Sequence, residues 1–440
     1  MLRNDKKERI GWYFYDWANS AFATTVIAVF LNPYLTAIAE KGASADGFLR
    51  IIGIEIFAGS YYEYVIAVSV FLQLLVLPII GVFVDYSQRK KLLLGVFAYL
   101  GAIATMGMFF ISGTAYLLGG VLLILANLGF GASMVIYNSI LNDIAAPDRR
   151  DAVSSIGWAF GYLGGGLLLA LNLIFYSMSD KLLLGFENHA ELAIRICLCS
   201  AGLWWGVFSI MPMVYIRTRK ETKPIPSGRH YLTFGFKQFN KTLKDARNYP
   251  GALLFLVAFF LYNDGVQAVI ISAGKFGKKE LGLSIMTLTQ VILMVQFVAF
   301  FGALLFNWVA KLINTKNAII TSLIIWIAIV IYAFAFLQDE LGFYFLGAAI
   351  AIVMGGTQAL SRSLYSRVIP IGKEAEYFSL YEISEKGTSM LGPLLFGITL
   401  QISGSYRLAI FSLIIFFIIG LILLAILNIN KAERSAQELI

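Results

Sequence analysis

The stretch "GVFVDYSQRKK", residues 81–91, separates two apolar runs that are each long enough to cross a membrane. It reads as a glycine, three residues, an aspartate, three residues and then three cations. Gly81 has no side chain and so lets two helices approach closely. Asp85 and Arg89 are four residues apart and can pair across the turn. A short loop with cations at a helix end is typical of the cytoplasmic side of a polytopic membrane protein.

The composition of the whole chain also indicates a membrane protein. Of the 440 residues, 59% are hydrophobic and 14% are charged, whereas a soluble domain carries roughly 25% charged residues. Because a spanning helix needs about 20 mostly apolar residues, we expect an all-α membrane protein with twelve transmembrane helices. The predicted spans are 11–38, 62–84, 92–112, 115–141, 152–178, 192–216, 249–273, 283–310, 318–337, 341–366, 377–403 and 405–430. The net charge of +8 is explained by topology, and we predict no nucleic-acid partner.

Lysine and arginine are distributed unevenly between alternate loops. The poorer set holds only Lys41, Arg50, Lys181, Lys275, Lys278, Lys279 and Arg407. The richer set includes both termini and the long middle loop, so the positive-inside rule predicts that both termini are cytoplasmic. The predicted domains are an N-terminal six-helix bundle (1–216), a cytoplasmic linker (217–248) and a C-terminal six-helix bundle (249–440). The linker either carries an amphipathic surface helix or is a plain connection.

The two halves of the chain are weakly similar to each other. "YNSILNDIAAPDRRDA" (137–152) and "SRSLYSRVIPIGKEAE" (361–376) follow the fourth and tenth spans, and both pass from a polar helix end to a proline and a charged loop. Such internal similarity is expected of transporters built from two six-helix bundles.

Four longer motifs carry a family resemblance: "YDWANSAF" (15–22), "LYNDGVQAV" (261–269), "GGTQALSRSLYSRVIP" (355–370) and "EAEYFSLYEISEKGTSMLGP" (374–393). With the 81–91 loop, they resemble the vacuole-effluxer branch of the major facilitator superfamily, which includes autophagy-related amino-acid exporters of fungal vacuoles and bacterial members. The resemblance covers the whole chain. It implies a twelve-helix fold of two pseudo-symmetric six-helix bundles, with the first, fourth, seventh and tenth helices around a central cavity.

The chain departs from the superfamily pattern at two positions. Gln88 stands where the signature loop has a second glycine. Asn127 occupies the middle of the fourth span, where superfamily members commonly have an arginine. The second departure weakens any transfer of the proton mechanism usually assigned to that arginine.

Asp16 and Asn19 share one helix face near the start of the first span. Ionisable groups at membrane depth usually face a cavity or a partner. We therefore predict that both residues line the inner vestibule as part of a substrate or proton site. The alternative is that Asp16 orients the helix start and contacts loop cations.

Asp264 lies near the middle of the seventh span, beside Asn263 and one turn before Gln267. We predict that it belongs to a proton or substrate site or forms half of a buried ion pair. Proton coupling needs a carboxyl group whose surroundings change with access, and Asp264 is the first candidate and Asp16 the second.

Lys386 is a deep charge in the eleventh span, with Glu382 one turn before it. Lys386 can pair with Glu382 or with Asp264, since the seventh and eleventh helices are neighbours in the family fold. An amino-acid substrate needs a cation for its carboxylate and an acid for its ammonium group. Lys386 or Arg362 can serve as the cation, and Asp264 or Asp16 as the acid.

Arg362 has a second interpretation. It can bind a carboxylate with two parallel hydrogen bonds, or it can form a gate salt bridge with Asp16, Glu382 or Glu385. We include Gln358, one turn before Arg362, in the predicted substrate or proton site.

We predict an inner gate at the cytoplasmic ends of the helices, from Asp85, Arg89, Arg367 and Glu385. The family loop helps to hold one conformation of this gate. For Arg89 the alternative is that its charge serves topology alone.

The preferred function is that of a secondary active transporter that moves a small polar metabolite by alternating access. Amino-acid efflux across a bacterial inner membrane follows from the resemblance, and proton coupling is left open. The alternatives are a permease for a peptide fragment or nucleoside, or a solute-sensing receptor that transports nothing. The sequence has no nucleophile–base set or metal-ligand cluster, so we predict no enzyme, metal or cofactor. The expected partners are the substrate and the lipid bilayer.

Overall fold

A computed structural model describes residues 5–51, 53–87, 89–186, 188–217, 246–387 and 391–438, and within these ranges it leaves out the side chains of Ala246, Ile285 and Lys386. The predicted amphipathic segment of the linker falls almost entirely outside the described residues. The stated domain boundaries therefore stay a prediction.

The described part of the chain contains eleven helices that are long and apolar enough to cross a membrane, together with one shorter apolar helix. We number them as spans 1 to 12, with span 11 described as two helical segments. Their bounds are Lys6–Lys41, Ala58–Tyr86, Lys90–Phe110, Tyr116–Ile144, Pro147–Ser177, His189–Tyr215, Pro250–Lys279, Ile285–Ile313, Thr315–Ala335, Glu340–Val368, Glu374–Gly387 with Leu391–Ser403, and Tyr406–Ile426. The expectation of twelve helices is confirmed.

Some spans are interrupted, and a few short elements lie outside them. Span 1 is α-helical at both ends, with a π-helix over Phe22–Phe30 between them. Helical geometry also changes within spans 2, 3, 5, 6 and 12. The remaining elements are the antiparallel strands Phe48–Ile51 and Ile54–Phe57, the short helices Ser179–Leu182 and Ala246–Asn248, and the C-terminal helix Ile429–Glu438.

Buried apolar side chains form two clusters. One comes almost entirely from spans 1 to 6 and the other almost entirely from spans 7 to 12. We call these sets of spans the first half and the second half. This division matches a major facilitator fold of two bundles.

Glycines allow several of these helices to pack closely. On span 5, a Cβ on Gly157 would lie 2.5 Å from the Trp12 ring, and one on Gly161 would lie 2.8 Å from Ser20. The glycine-rich face of span 5 therefore packs against span 1. The predicted close approach at Gly81 is also confirmed, since a Cβ there would lie 2.6 Å from the carbonyl oxygen of Ala375.

The fold has two ends that can be told apart by their loops. One end carries the connections after spans 2, 4, 6, 8 and 10, which are the lysine- and arginine-rich loops of the sequence. We call it the basic end. The other, the opposite end, carries the strand pair and the connections after spans 1, 3, 5, 7, 9 and 11.

The contact between spans 8 and 10 provides a test of the close helix packing that glycines allow. A Cβ on Gly355 would lie 2.5 Å from the carbonyl oxygen of Ala299 and 2.9 Å from the backbone nitrogen of Ala303. Because backbone cannot move aside as a side chain can, Gly355→Ala should destabilise the protein by about 1–3 kcal/mol. The melting temperature in detergent measures this. Gly397→Ala is the control, since a Cβ there meets nothing within 4 Å; equal melting temperatures for the two variants would contradict the packing.

Candidate functional site

Asp16 lies inside the protein, where it faces spans 4 and 10. The residue is only 5% exposed. Oδ2 accepts a hydrogen bond of 2.6 Å from the Tyr137 hydroxyl and bonds of 3.2 and 3.3 Å from Nη1 and Nη2 of Arg362. Of the alternatives open for Asp16, the structure therefore shows a buried ion pair with span 10.

Arg362 is 1% exposed and makes its described side-chain contacts with the first half of the chain. Its Nε donates to the Ser154 hydroxyl at 2.9 Å, and Nη2 donates to the Ser154 carbonyl at 2.9 Å. Nη1 also donates to Oδ1 of Asn138 at 3.4 Å. The guanidinium carbon lies 4.7 Å from the ring centre of Trp12 and 5.3 Å from that of Trp158, within the range of cation–π attraction.

Further polar contacts extend this arrangement across the halves. Nδ2 of Asn138 donates to Oε1 of the buried Glu382 at 2.6 Å, so span 4 is tied to span 11. Ser154 donates through its hydroxyl to the Ala359 carbonyl at 2.7 Å. The Tyr162 hydroxyl donates to Oε1 of Gln358 at 2.5 Å. We call Asp16, Tyr137, Asn138, Ser154, Arg362 and Glu382 the central polar cluster.

A second layer of contacts closes the basic end between spans 5 and 10. Asp151 accepts hydrogen bonds of 2.6 Å each from the hydroxyls of Thr315 and Ser363, and it forms an ion pair with Nη2 of Arg367 at 2.6 Å. Nη1 of Arg150 donates to the Ser366 carbonyl at 2.6 Å. The predicted gate residue Arg367 thus lies at the junction of the halves.

Asp85 closes the same end between spans 2 and 11. Its two carboxylate oxygens accept from the backbone N–H groups of Ala375 at 2.9 Å and Glu376 at 2.7 Å. A carboxylate is favourable there because the first turn of a helix has unpaired N–H groups and a partial positive charge.

The suggested pairing of Asp85 with Arg89 is wrong for the described residues. Asp85 turns across to the second half instead, and the described polar contact of Arg89 is local, from its backbone N–H to the Ser87 hydroxyl. The backbone amides at a helix start are fixed and form two short hydrogen bonds. An exposed arginine side chain would lose conformational entropy on pairing with Asp85, so it competes poorly with these amides.

The opposite end has a different pattern. There the described ion pairs stay within one half: Lys41 with Glu191 at 3.0 Å, Arg50 with Glu55 at 3.2 Å, and Arg407 with Glu280 at 2.7 Å. Over the ranges that the structure describes, the hydrogen bonds and ion pairs between halves lie from the middle of the spans to the basic end. The protein is therefore held closed at its basic end.

Asp264 does not belong to the central polar cluster. It is 0% exposed, and neither carboxylate oxygen has a hydrogen bond of acceptable geometry within the described part of the chain. It faces span 11, since a Cβ on Gly392 would lie 3.3 Å from Oδ1. Its neighbour Tyr262 instead faces span 10 and shares a 2.6 Å hydrogen bond with the Ser361 hydroxyl.

The other predicted residues take separate places. Asn19 is buried and donates to Sδ of Met134 at 3.4 Å, so it faces span 4. Asn263 is buried and Gln267 is partly buried on span 7. Glu385 lies close enough to Tyr162 to interact with it electrostatically.

The side chain of Lys386 lies outside the described part of the structure. Its pairing with Glu382 or with Asp264 therefore stays a prediction, as does its role as the cation for a substrate carboxylate.

Sequence reasoning missed four residues of this region: Tyr137, Asn138, Asp151 and Ser154. The first three fall within the stretch 137–152, which the sequence singles out only as half of an internal repeat. The available signal was the density of polar residues at the end of an otherwise apolar helix. Their partners are more than 100 positions away along the chain, so that signal could not name them.

Sequence comparisons with known proteins agree on one family, and a solved structure shares the fold. The profile of the family described as "Vacuole effluxer Atg22 like" matches residues 4–437. YxiO of Bacillus subtilis, an uncharacterized MFS-type transporter, is 31% identical over 441 residues, which cover 100% of this chain and 99% of YxiO. Autophagy-related protein 22-1 of Penicillium rubens is 26% identical, over 99% of this chain and 92% of the fungal protein. The crystal structure of the major facilitator transporter FucP in its outward conformation has a TM-score of 0.67 at 13% identity, over 96% of this chain and 98% of FucP.

The pair of Asp16 and Arg362 can be tested by a double-mutant cycle. Arg362→Gln alone leaves the Asp16 carboxylate buried without its cation, which should destabilise the protein by about 3–5 kcal/mol. Adding Asp16→Asn removes the buried charge, so the double variant should recover part of that loss. Melting temperatures in detergent give the comparison.

The control for this cycle is Lys41→Gln, which breaks a partly exposed ion pair at the opposite end and should change stability by less than about 1 kcal/mol. Simple additivity of the two central substitutions would contradict direct pairing.

Proposed function

Because this chain belongs to the Atg22-like vacuole-effluxer family of the major facilitator superfamily and is a secondary transporter, we propose that its substrates are free amino acids. We further propose that they bind between Asp16 and Arg362. One observation carries the proposal: a carboxylate and a guanidinium from opposite halves form an ion pair inside the membrane-spanning region.

An amino acid carries the same two charges as that pair. Its carboxylate can accept two parallel hydrogen bonds from a guanidinium, and its ammonium group can donate to a carboxylate. A zwitterion bound between them can therefore pair its ammonium group with Asp16 and its carboxylate with Arg362, so that no buried charge is left unpaired. A nucleoside has no such pair of charges, and in a peptide fragment they are further apart.

Replacement of the Asp16–Arg362 bond by bonds to the substrate would also explain why substrate binding leads to the conformational change. The direct bond between Asp16 and Arg362 holds the halves together in the structure that is closed at the basic end. A substrate between them replaces this bond by contacts to each half separately, which lowers the free-energy difference between the two conformations. The same step works for either direction of flux, and net efflux then follows the substrate gradient.

The uneven distribution of lysine and arginine supports the proposed orientation. If the basic end faces the cytoplasm, both termini do so as well, and the structure represents the outward-facing state. We place the protein in a bacterial inner membrane, where an exporter would release amino acids from the cell. The two domains would rock as rigid bodies, with residues 217–248 as their connection.

Asp264 is the proposed proton site. It is a carboxyl group in the middle of a span, it has no cation beside it in the described residues, and it lies outside the substrate pair. A carboxyl group in such surroundings can bind a proton in one conformation and release it in another as its access to water changes.

The first test is exchange in proteoliposomes loaded with a mixture of unlabelled amino acids. Labelled leucine or tyrosine should enter saturably, and the corresponding amide and decarboxylated amine should compete much less because each lacks one charge. Asp16→Asn and Arg362→Lys should each reduce exchange at least tenfold, about 1.4 kcal/mol, since lysine cannot form the two-pronged contact.

Lys41→Gln is the matched control for exchange and should transport normally. Absence of exchange in folded wild-type protein would exclude amino acids. Full exchange by both central variants would place the substrate elsewhere.

A separate prediction concerns Asp264→Asn. If Asp264 carries the proton, this variant should keep amino-acid exchange but lose the acceleration that a pH gradient gives to net flux. The measurement is uptake with and without an imposed gradient, in the same vesicles. A variant that still responds fully to the gradient would remove Asp264 from the coupling mechanism.

A further inference from the structure

A cavity of about 570 Å³ lies at the basic end, apart from the central polar cluster. We call it the basic-end pocket. Its walls come from the start of span 5 in the first half, and from the end of span 8, the start of span 9 and the end of span 10 in the second half. The lining residues are Asp148, Asp151, Ala152, Asn307, Ala310, Lys311, Leu312, Ile313, Asn314, Thr315 and Arg367.

We propose that the basic-end pocket binds a phosphate group, held between Lys311 and Arg367, and that the bound ligand keeps the basic end closed. This site is independent of the proposed amino-acid site and would regulate transport rather than carry substrate.

The two carboxylates and two cations of the lining sum to zero net charge, so it is the unused hydrogen-bond donors that favour an anion. Asp151 is already held by hydrogen bonds from Thr315 and Ser363 and by its ion pair with Arg367. Nε of Arg367 is still unpaired, so this guanidinium has a donor to spare. Lys311 is exposed, and within the described residues its ammonium group forms no ion pair.

Two other side chains shape the choice of ligand. Oδ1 of Asn307 is also unpaired, and because an amide can present either its oxygen or its nitrogen, Asn307 can accept from or donate to a phosphate ester. Asp148 is exposed at the lining and would repel a highly charged anion. A monoester or diester phosphate, with one or two charges, therefore fits better than a polyphosphate.

The surroundings of the pocket allow two sources of phosphate. Leu312 and Ile313 in the lining are 63% and 39% exposed, and apolar side chains at the end of a span meet the lipid headgroup region. The phosphate can therefore come from a phospholipid headgroup or from a soluble phosphate compound on that side of the membrane.

The position of the pocket explains why a ligand would act on the gate. Its walls include residues of both halves, and the contact of Asp151 with Arg367 forms part of them. Opening the basic end must separate these walls and dismantle the site. A ligand that binds only the closed form stabilises that form, and at a concentration of ten times its Kd the shift is about tenfold.

The test measures thermal stability of the detergent-purified protein against inorganic phosphate and glycerol phosphate, at constant ionic strength. Wild-type protein should gain several degrees in a saturable manner. Lys311→Gln should lose this response while keeping the melting temperature that it has without phosphate. Lys431→Gln, which removes an exposed lysine at the same end, should respond as the wild type does.

The lipid source is tested in vesicles with and without phosphatidylglycerol. A saturable soluble-phosphate effect that needs Lys311 supports the site with a soluble ligand. A stabilisation by phosphatidylglycerol alone that needs Lys311 supports it with a lipid ligand. If neither probe stabilises the wild type, or if Lys311→Gln responds fully, the proposal is overturned.

Transport gives a second readout that does not depend on the identity of the carried solute. The active phosphate compound should slow flux when it is present on the side of the basic end, and Lys311→Gln should abolish that inhibition. Because the stability measurement involves no transport, this proposal can fail or succeed whether or not amino acids are the substrates.

Discussion

A buried charge inside a membrane needs a partner, and in this protein the partner comes from the other half of the chain. Asp16 and Arg362 are both almost fully buried, and neither can leave the other without becoming an isolated charge in an apolar environment. Their bond therefore links two events, the separation of the halves and the arrival of new partners for both charges. The halves can separate at this level only when something else satisfies both groups, which makes the site a control point for the conformational change.

The rest of the structure is arranged so that this pair can form. Gly157 on span 5 leaves room for it, since a Cβ there would lie 2.9 Å from Oδ2 of Asp16 and 3.1 Å from Nη2 of Arg362. Tyr137 and Ser154 supply hydrogen bonds that hold each partner in position. Nearer the basic end, Asp151 and Asp85 add contacts between the halves at two different seams. Because these layers all lie toward one end, they close that end together, while the ion pairs described at the opposite end each lie within one half.

Hydropathy and the asymmetry of the basic loops were enough to predict twelve helices with both termini on one side, and the family resemblance supplied their arrangement in two bundles. The site was less accessible. Asp16 and Arg362 could be named as deep charges, and their pairing was one of several alternatives, but the loop residue Asp85 was given the wrong partner. Local spacing suggested Arg89, whereas the actual partners are backbone amides in span 11, about 290 positions along the chain. Backbone donors at a helix start leave no mark in the sequence, and contacts between halves depend on which conformation is populated.

The two deep carboxylates have different surroundings, and this difference argues for two roles. Asp16 is held by a guanidinium and a phenol and is suited to recognise a cationic group. Asp264 faces Gly392 on a different helix, whose backbone lies near it but forms no hydrogen bond of acceptable geometry in the described residues. A carboxylate with so little compensation at that depth is unfavourable, whereas a neutral carboxyl group is tolerated. Substrate recognition and proton binding would then occupy separate sites, joined by the movement of spans 7, 10 and 11 relative to the first half. The proposed arrangement does not need the missing arginine of span 4, because Arg362 of span 10 would supply the cation that the proposed substrate site requires.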